Sequence, residues 1–420
     1  MIVIKPALLI GSEYFYFILF SLLLFIFSLT VEFYHYFYLT KFDDAIIKVD
    51  VLKHYSKHRD GQKYDVLKLQ TEQGIQFYIT SKAPLKSLVG YEATVWIKTK
   101  YVSFLKYIKG FATKGSVISV TRAKIETYVL GDELSKLHKN QDVAQIYGAL
   151  FFALPLTASL QEKFSMMGVS HLLAISGFHL GVLSFLLFIL LRLPYVQLQK
   201  RYFPYRHANR DLFIIVALIL GAYLLFLGDV ASLLRAYTML LVGYVLHDRG
   251  LKIVSIQTLL ITAILLVALW PKLLFSLGFW LSISGVYFIF LYFHYFEHIA
   301  NKVSFVLIAF WVYLLMTPIS LSLFGNYSLY HPVSIVWSLL FTLFYPLSLL
   351  LHSIGYGDLL DGVLEFGLNM ELQGVKIVVN QVWLIIYGLL AIGAYRSKVL
   401  LVVLMAVATG VTVATIHQVT

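Results

Sequence analysis

The chain has 420 residues, 60% of them hydrophobic and 13% charged, with a mean hydropathy of +0.81. A soluble domain of this length has no interior large enough for so much apolar surface, which excludes a water-soluble globular enzyme. The lack of any cysteine excludes disulfides, thiolate metal sites and a cysteine nucleophile, and the net charge of +11 points toward anionic partners.

The first apolar run, Tyr14 to Val31, follows Lys5 and has no small-residue cleavage site. The polar-aromatic stretch Glu32-Phe33-Tyr34-His35-Tyr36-Phe37-Tyr38 comes next. This pattern predicts a retained transmembrane helix with an interfacial aromatic belt, not a signal peptide. Residues 1–40 form this first unit.

Residues 41–125 read differently. Lys41 to Lys124 hold 16 lysines and arginines against 7 acids, most of the excess charge of the chain. Period-two alternation predicts strands over 45–52, 64–69, 76–80, 92–98 and 116–120, with turns at Arg59-Asp60-Gly61-Gln62 and Glu72-Gln73-Gly74. A helical stretch lies near Phe104–Phe111. Five strands and one helix suit a small OB-like β-barrel, although other five-stranded barrels share the pattern. The basic surface is either a solvated face or a seat for a polyanion.

Residues 126–165 read as a linker with an interfacial helix, interrupted by Pro155. From 166 to 420 apolar runs recur near 169–191, 212–228, 230–247, 253–270, 277–296, 303–323, 333–352, 377–395 and 399–416. With the first helix this gives about ten spans and a polytopic α-helical membrane protein.

Arg192, Lys200, Arg201, Arg206 and Arg210 crowd one short loop, which predicts that it is cytoplasmic. Alternation then puts the N-terminus inside and the β domain outside. The count fails late in the chain. The 353–375 loop carries Asp358, Asp361, Glu365 and Glu371 yet falls inside, while Arg396 and Lys398 fall outside. A segment between about 312 and 352 that dips in and returns would repair this. Pro318, Gly325, Pro332 and Pro346 fit such a break, and broken segments at depth line cavities.

The string Gly168-Val169-Ser170-His171-Leu172-Leu173-Ala174-Ile175-Ser176-Gly177-Phe178-His179-Leu180-Gly181 interrupts one of these apolar runs. On an unbroken helix Ser176 and His179 share a face, and Gly177 and Gly181 allow a bend or a close neighbour. Two readings fit: polar glue between helices, or a polar pathway through the membrane. Neither histidine has a carboxylate near it in sequence, so no metal site is expected.

The run Ser170 to Gly177 closely resembles the signature of the ComEC-type competence DNA channel family. Phe178 stands where that family usually has leucine. Ser232-Leu233-Leu234-Arg235-Ala236-Tyr237-Thr238-Met239 resembles a second family motif. Leu274 to Ser282 resembles a third, with Leu277 and Trp280 replacing the usual proline and glutamine. Asn326 to Pro332 and Tyr107 to Phe111 are similar to further family segments more loosely. The resemblance covers most of 45–350. It implies that Ser170, His171, Ser176, Gly177, His179, Gly181, Ser232, Arg235, Ser282 and Asn326 line a channel or carry its motifs.

Arg235 is notable on physical grounds too. A lone arginine inside a span is costly unless it is paired or wet. Asp229 is one possible partner; a phosphate is another, since the guanidinium fork matches phosphate oxygens. In the β domain, cations interleave with aromatics from Trp96 to Phe111, a combination that suits single-stranded nucleic acid. Lys53, Lys98, Lys100, Lys106, Lys109 and Lys114 are the expected DNA contacts, ahead of the rings. Phe104, Tyr107, Ile108 and Phe111 keep helical spacing, which marks several of them as core.

Two strings carry no chemistry. His294-Tyr295-Phe296-Glu297-His298 spells a zinc-protease pattern at the end of a span, without an obvious third ligand. Gly110 to Ser116 resembles a phosphate loop but lacks the lysine after its second glycine.

The expectation is a non-enzymatic channel of the bacterial inner (cytoplasmic) membrane, passing single-stranded DNA to the cytoplasm. The alternative is a secondary transporter of a small solute. No metal or cofactor is expected. Drawing phosphates toward a negative interior costs about 2.3 kcal/mol per charge per 100 mV. No ATPase motif is present, so a cytoplasmic motor or single-strand binding protein is an expected partner. A periplasmic DNA receptor, the lipid bilayer and a separate nuclease complete the set. The chain ends in an apolar span without an HxHxDH string, so no nuclease activity is expected from it.

Overall fold

The computed structural model describes residues 12–59, 62–72, 74–81, 88–228, 231–248, 255–299, 301–370, 374–377 and 379–419. Lys5, the turn residues Asp60, Gly61 and Gln73, and also Asp229 and Glu371, lie outside them. Helix α1 (Glu13–Leu39) leads into strands β1 (Asp44–Arg59), β2 (Gln62–Thr71), β3 (Gln76–Ser81) and β4 (Tyr91–Lys98). Helix α2 (Phe104–Lys109) and strand β5 (Phe111–Lys124) follow. The strands close a barrel in the order β1-β2-β3-β5-β4, with β3 and β5 parallel. The alternation read from the sequence is its cause. Val51, Leu67, Leu69, Phe77, Ile79, Val95 and Ile97 point inward and are fully buried, while most of the residues between them are more exposed. The barrel is OB-like, as expected.

The barrel is fastened to the membrane helices. At 1.5 Å per residue, the 27 residues of α1 span about 40 Å, some 10 Å more than a hydrocarbon core. The surplus end carries the barrel. Leu29, Tyr36 and Leu39 pack against its core, and the Tyr36 hydroxyl donates to the Val102 carbonyl at 3.0 Å. Phe104 of α2 sits 5.3 Å from Phe33 and 5.4 Å from Tyr36, ring to ring. The half-buried Glu32 carboxylate accepts from Tyr107 at 3.2 Å and pairs with Lys272 at 2.9 Å.

Short helices α3 (Glu126–Ser135), α4 (Gln141–Phe152), α5 (Ala158–Met166) and α6 (Ser170–Leu173) connect the barrel to the long helices. These are α7 (Gly177–Tyr202), α8 (Ala208–Leu227), α9 (Ala231–Asp248), α10 (Ile256–Leu269), α11 (Leu277–Phe296), α12 (Asn301–Phe324) and α13 (Ser334–Ser353). After α14 (Asp361–Leu368) come α15 (Val382–Ala394) and α16 (Lys398–Val419). Most expected spans fall on helices; the one expected over 169–191 is divided between α6 and α7, and the one over 377–395 becomes helical only at Val382. Seven are long and apolar enough to cross a membrane, α10 and α15 are shorter, and α9 holds Arg235. The architecture is a polytopic helical membrane protein with an N-terminal barrel.

Helices α1 and α10 run parallel. Gln257 bonds Tyr14 at one end (2.7 Å), and Lys272, just past α10, meets Glu32 at the other. Between α12 and α13 the chain forms strand β6 (Asn326–Ser328), which pairs antiparallel with β7 (Gly374–Lys376). The chain thus leaves this sheet after Ser328 and returns to it at Gly374. Within the segment expected to double back, 312–352, the prolines and Gly325 behave differently. Pro318 and Pro346 lie inside continuous helices. The break comes at Gly325, with φ of +70°, where a Cβ would stand 2.7 Å from the Ile377 carbonyl oxygen. At its far end α13 brings His352 within 3.2 Å of His138, just beyond α3, and α3 itself touches the barrel through Tyr128.

Glu32→Ala should strip both partners from Tyr107 and Lys272 and loosen the barrel. A loss of about 1–3 kcal/mol is expected. Hydrogen exchange should read it as roughly 5- to 150-fold faster exchange in α2, with the barrel core strands unchanged.

Candidate functional site

The polar string does not lie on one helix. Helix α5 ends at Met166, and Gly168 then takes φ of +73°, open to glycine but strained for other residues. One turn of helix, α6, carries Ser170 and His171. Ala174 to Ser176 are extended, and α7 begins at Gly177. The expectation of an unbroken helix through Ser176 and His179 is therefore corrected. The capping chemistry supplies the reason. Ser176 is the N-cap of α7, and its backbone N–H donates to His179 Nδ1 at 3.1 Å, one half of a capping box. His179 is 1% exposed, its ring packed edge-on against Tyr345 at 4.4 Å. Because Nδ1 accepts, the ring proton belongs on Nε2, which is buried without a hydrogen-bond partner.

His171 is exposed. Its Nδ1 lies 3.1 Å from the Gly168 carbonyl and its Nε2 3.2 Å from Ser338 Oγ on α13. Ser170, Gly177 and Gly181 are exposed too, and a Cβ at Gly181 would meet no atom within 4 Å. The break thus presents an open face carrying hydroxyl, imidazole and bare backbone. Gly177 makes ordinary contact with Ala236, 3.7 Å from a Cβ placed there, so α7 begins against α9 beside Arg235.

Arg235 is 6% exposed. One Nη donates to the Gly278 carbonyl at 2.9 Å, the guanidinium lies 5.9 Å from the Phe279 ring centre, and Nε is buried without a partner. No carboxylate pairs with it among the described residues, and Asp229 lies outside them. A small cavity between α9, α10 and α11 is bounded by Arg235, Thr262 and Ser282 with apolar neighbours. Ser232 is half-buried near the start of α9. Asn326 opens β6, donates to Ser165 Oγ at 3.1 Å, and has a buried Oδ1 without a partner. The ten residues thus gather as two neighbouring groups, one around the helix break and one around Arg235, joined at Gly177 and Ala236.

Sequence reasoning missed the partners that hold the break. The buried His331 ring stacks on Tyr327 at 4.6 Å and fills the space over Gly168, 2.8 Å from a Cβ placed there. Ser338, Phe341 and Tyr345 of α13 complete the wall. These residues are distant in sequence; His331 and Tyr327 lie within the loosely matching Asn326–Pro332 segment, and the α13 residues carry no motif.

The six lysines separate. Lys100 is tied to Asp43 at 2.9 Å, which raises its pKa. Lys98 lies 5.8 Å from the Tyr101 ring centre, and exposed Lys109 lies 5.0 Å from that of Phe275, against the membrane helices. Lys106 is exposed near the Tyr101 carbonyl, and Lys114 is exposed on β5. Most of the interleaved aromatics are docking or core residues; Tyr107 is 1% exposed and its hydroxyl serves Glu32. Lys53 has a different setting. It pairs across β1 and β2 with Lys68, and Lys68 pairs in turn with Tyr78 on β3. Burial lowers the pKa of both lysines, and the charge of Lys53 lowers that of Lys68 further. Burial raises the Tyr78 hydroxyl pKa, with Tyr55 close by. Two half-buried like charges thus lie beside two phenol rings. Burial and the charges of Glu92 and Glu72 raise the pKa of Asp50. Lys68 was not among the six expected contacts; period-two alternation on β2 is the signal that could have found it.

The fold and these groups define a multi-pass membrane protein with a polar break in its helical body and a basic barrel beside it. A family model described as Competence protein matches residues 155–417, and the chain belongs to that family, the competence proteins of the ComEC type. The match takes in the helix break, Arg235 and Asn326, and stops short of the barrel. No curated protein and no solved structure matches the chain. The family ties the chain to competence, the uptake of DNA.

Gly168→Ala should destabilise the protein by about 1–3 kcal/mol, through the strained φ and the contact with His331. His331→Ala in the same chain should recover the part due to the ring and leave the part due to φ. Thermal unfolding of the two single variants and the double variant in detergent reads this non-additivity.

Proposed function

We propose that this protein is an inner-membrane channel that carries single-stranded DNA into the cytoplasm during natural transformation. The observation that supports it best is the junction of the open helix break with buried Arg235. Irregular backbone at membrane depth is tolerated where it lines a cavity, and a guanidinium without a carboxylate suits a passing phosphate. Ser170, His171, Gly177 and Gly181 border the path. His179 and Ser176 hold its geometry, and Asn326 anchors the segment before it. The barrel gathers DNA on the face of Lys53, Lys68, Tyr55 and Tyr78, where lysines follow phosphates and rings take bases. The channel uses a periplasmic receptor, a separate nuclease and a cytoplasmic motor or single-strand binding protein.

The orientation follows from loop charge. With the 192–210 loop, Lys302, Arg396 and Lys398 inside, the barrel, the β6–β7 sheet and both ends of α13 lie outside. Asp358, Asp361 and Glu365 then face outward, and the charge conflict disappears. The cysteine-free chain allows clean single-cysteine labelling. A cysteine at 360 should react from outside and one at 397 from inside; the opposite pair of results would refute this orientation.

Deletion of the gene should abolish transformation and leave labelled DNA outside the inner membrane. Wild type should restore uptake, and His171→Ala or Arg235→Ala should not, at normal protein levels in the membrane. Normal transformation in the deletion strain refutes the channel. Lys53→Gln with Lys68→Gln should weaken oligonucleotide binding by the full chain in nanodiscs. The slope of log affinity against log salt should fall by about 1.4 in magnitude, close to 0.7 per lost phosphate contact. An unchanged slope places the DNA face elsewhere.

A further inference from the structure

The turn between α3 and α4 meets the far end of α13 through side chains that the proposed path does not use. His138 is buried, and its Nδ1 lies 2.9 and 3.0 Å from the two carboxylate oxygens of Asp361 on α14. A carboxylate that accepts there requires the proton on Nδ1. His352 Nδ1 lies 2.6 Å from the Ser348 carbonyl, one turn back on α13, which again requires an N–H. The two remaining nitrogens, both Nε2, face each other at 3.2 Å. As neutral rings they would aim lone pairs at one another inside the protein. A cation between them removes the conflict. A metal ion would need further ligands. Among the described residues no group of three or more His, Asp, Glu or Cys side chains is placed to hold one. A proton needs nothing more, and 3.2 Å suits a hydrogen bond between the rings.

We propose that His138 and His352 share one proton and, with Asp361 as counter-charge, form a pH-dependent latch between the α3–α4 turn and the α13–α14 segment. The surrounding groups are few. Tyr147 of α4 lies 4.7 Å from His138 and 4.5 Å from His352, ring to ring. Asp358 approaches from the turn Gly357–Leu360, and Glu365 of α14 accepts from Asn140 at 3.4 Å. The Ser348 carbonyl and the Asp361 carboxylate, each bonded to one of the rings, supply the negative charge that faces the shared proton. Gly357 leaves room for the His352 ring, since a Cβ there would stand 2.6 Å from it.

The latch bears on the site through α13. That helix sets Ser338 against His171, and Phe341 and Tyr345 against His179. With the proton in place, α13 is pinned to the α3–α4 turn. As pH rises and the proton leaves, the facing lone pairs repel, and the wall of the helix break is freed on that side. The significance for gating rests on the channel reading; the latch itself does not.

The test uses the full chain in nanodiscs without DNA, so that failure of the latch and failure of the channel are separable. Spin labels on cysteines at Lys139 and Gly362, both exposed, report the distance across the latch. A narrow distance distribution at low pH that lengthens and broadens in one single-proton transition is expected. Asp361→Asn should move the midpoint down by about 1–3 pH units through loss of the counter-charge. His352→Gln should hold the latch closed at every pH, because a neutral amide can donate to His138. A wild-type distance that ignores pH overturns the proposal, as does a midpoint that neither variant moves. Opening by a chelator at constant pH would put a metal between the nitrogens and overturn the shared proton.

Discussion

A peptide group that leaves a helix where water is shut out must find its partner within the fold, and this constraint arranges the breaks in the helical body of the protein. Each unsatisfied group there costs several kcal/mol, so irregular backbone must find partners within the fold. The break at Ala174–Ser176 does so by capping: the Ser176 N–H goes to His179, and the N-terminus of α7 is closed by the residue that begins it. The break at Gly325 does so by pairing, with β6 bonded to β7 and Ser328 bonded to the Met166 carbonyl. The two breaks support each other, because β6 and the His331 turn pack against the end of α5 and against Gly168. Irregular backbone is thereby concentrated in one region. That region carries the exposed hydroxyl and imidazole groups, which are easiest to tolerate where the backbone is already polar.

The barrel uses one composition for two tasks. Aromatic and basic residues near α2 are spent on attachment: Phe104 against α1, Tyr107 on Glu32, Lys109 over Phe275. On β1 and β2, Lys53 and Lys68 instead stand opposite each other. A lysine stacked at a helix interface has its charge satisfied locally. Lys53 and Lys68 repel each other, and burial makes their charge costly. The difference lies in cross-strand register, which composition does not encode.

What the sequence made legible follows from periodicity. Spans emerged from apolar runs, and strands from alternation, because both signals are local and repeat many times. The helix break did not emerge, since Leu172, Leu173, Ala174 and Ile175 keep the composition of a span straight through it. Its cause is partly a contact 163 positions away, between Gly168 and His331. The pairing of Lys53 with Lys68 was hidden for a related reason: it depends on a register shift in β1 between Val51 and Lys53. The motif residues themselves were legible, because histidine, serine and glycine stand out in an apolar run whatever the backbone does there.

Helix α13 marks the limit of reading direction from hydropathy. It is as long and apolar as the spanning helices. Its buried residues, Ser334, Phe341, Tyr345 and Ser348, fall on one face. Val336, Leu340, Leu343, Leu347 and Leu350 are exposed on the other. Such a helix is content in lipid on one side whether it crosses the bilayer or lies along its boundary. Hydropathy reports the solvent a segment prefers and says nothing of where its ends must be. The ends are fixed by β6 paired with β7 at the start and by His352 against His138 at the finish, two tethers outside the helix itself. Charge in the flanking loops depends on where those ends lie, which is why loop charge carries topological information that the apolar pattern does not.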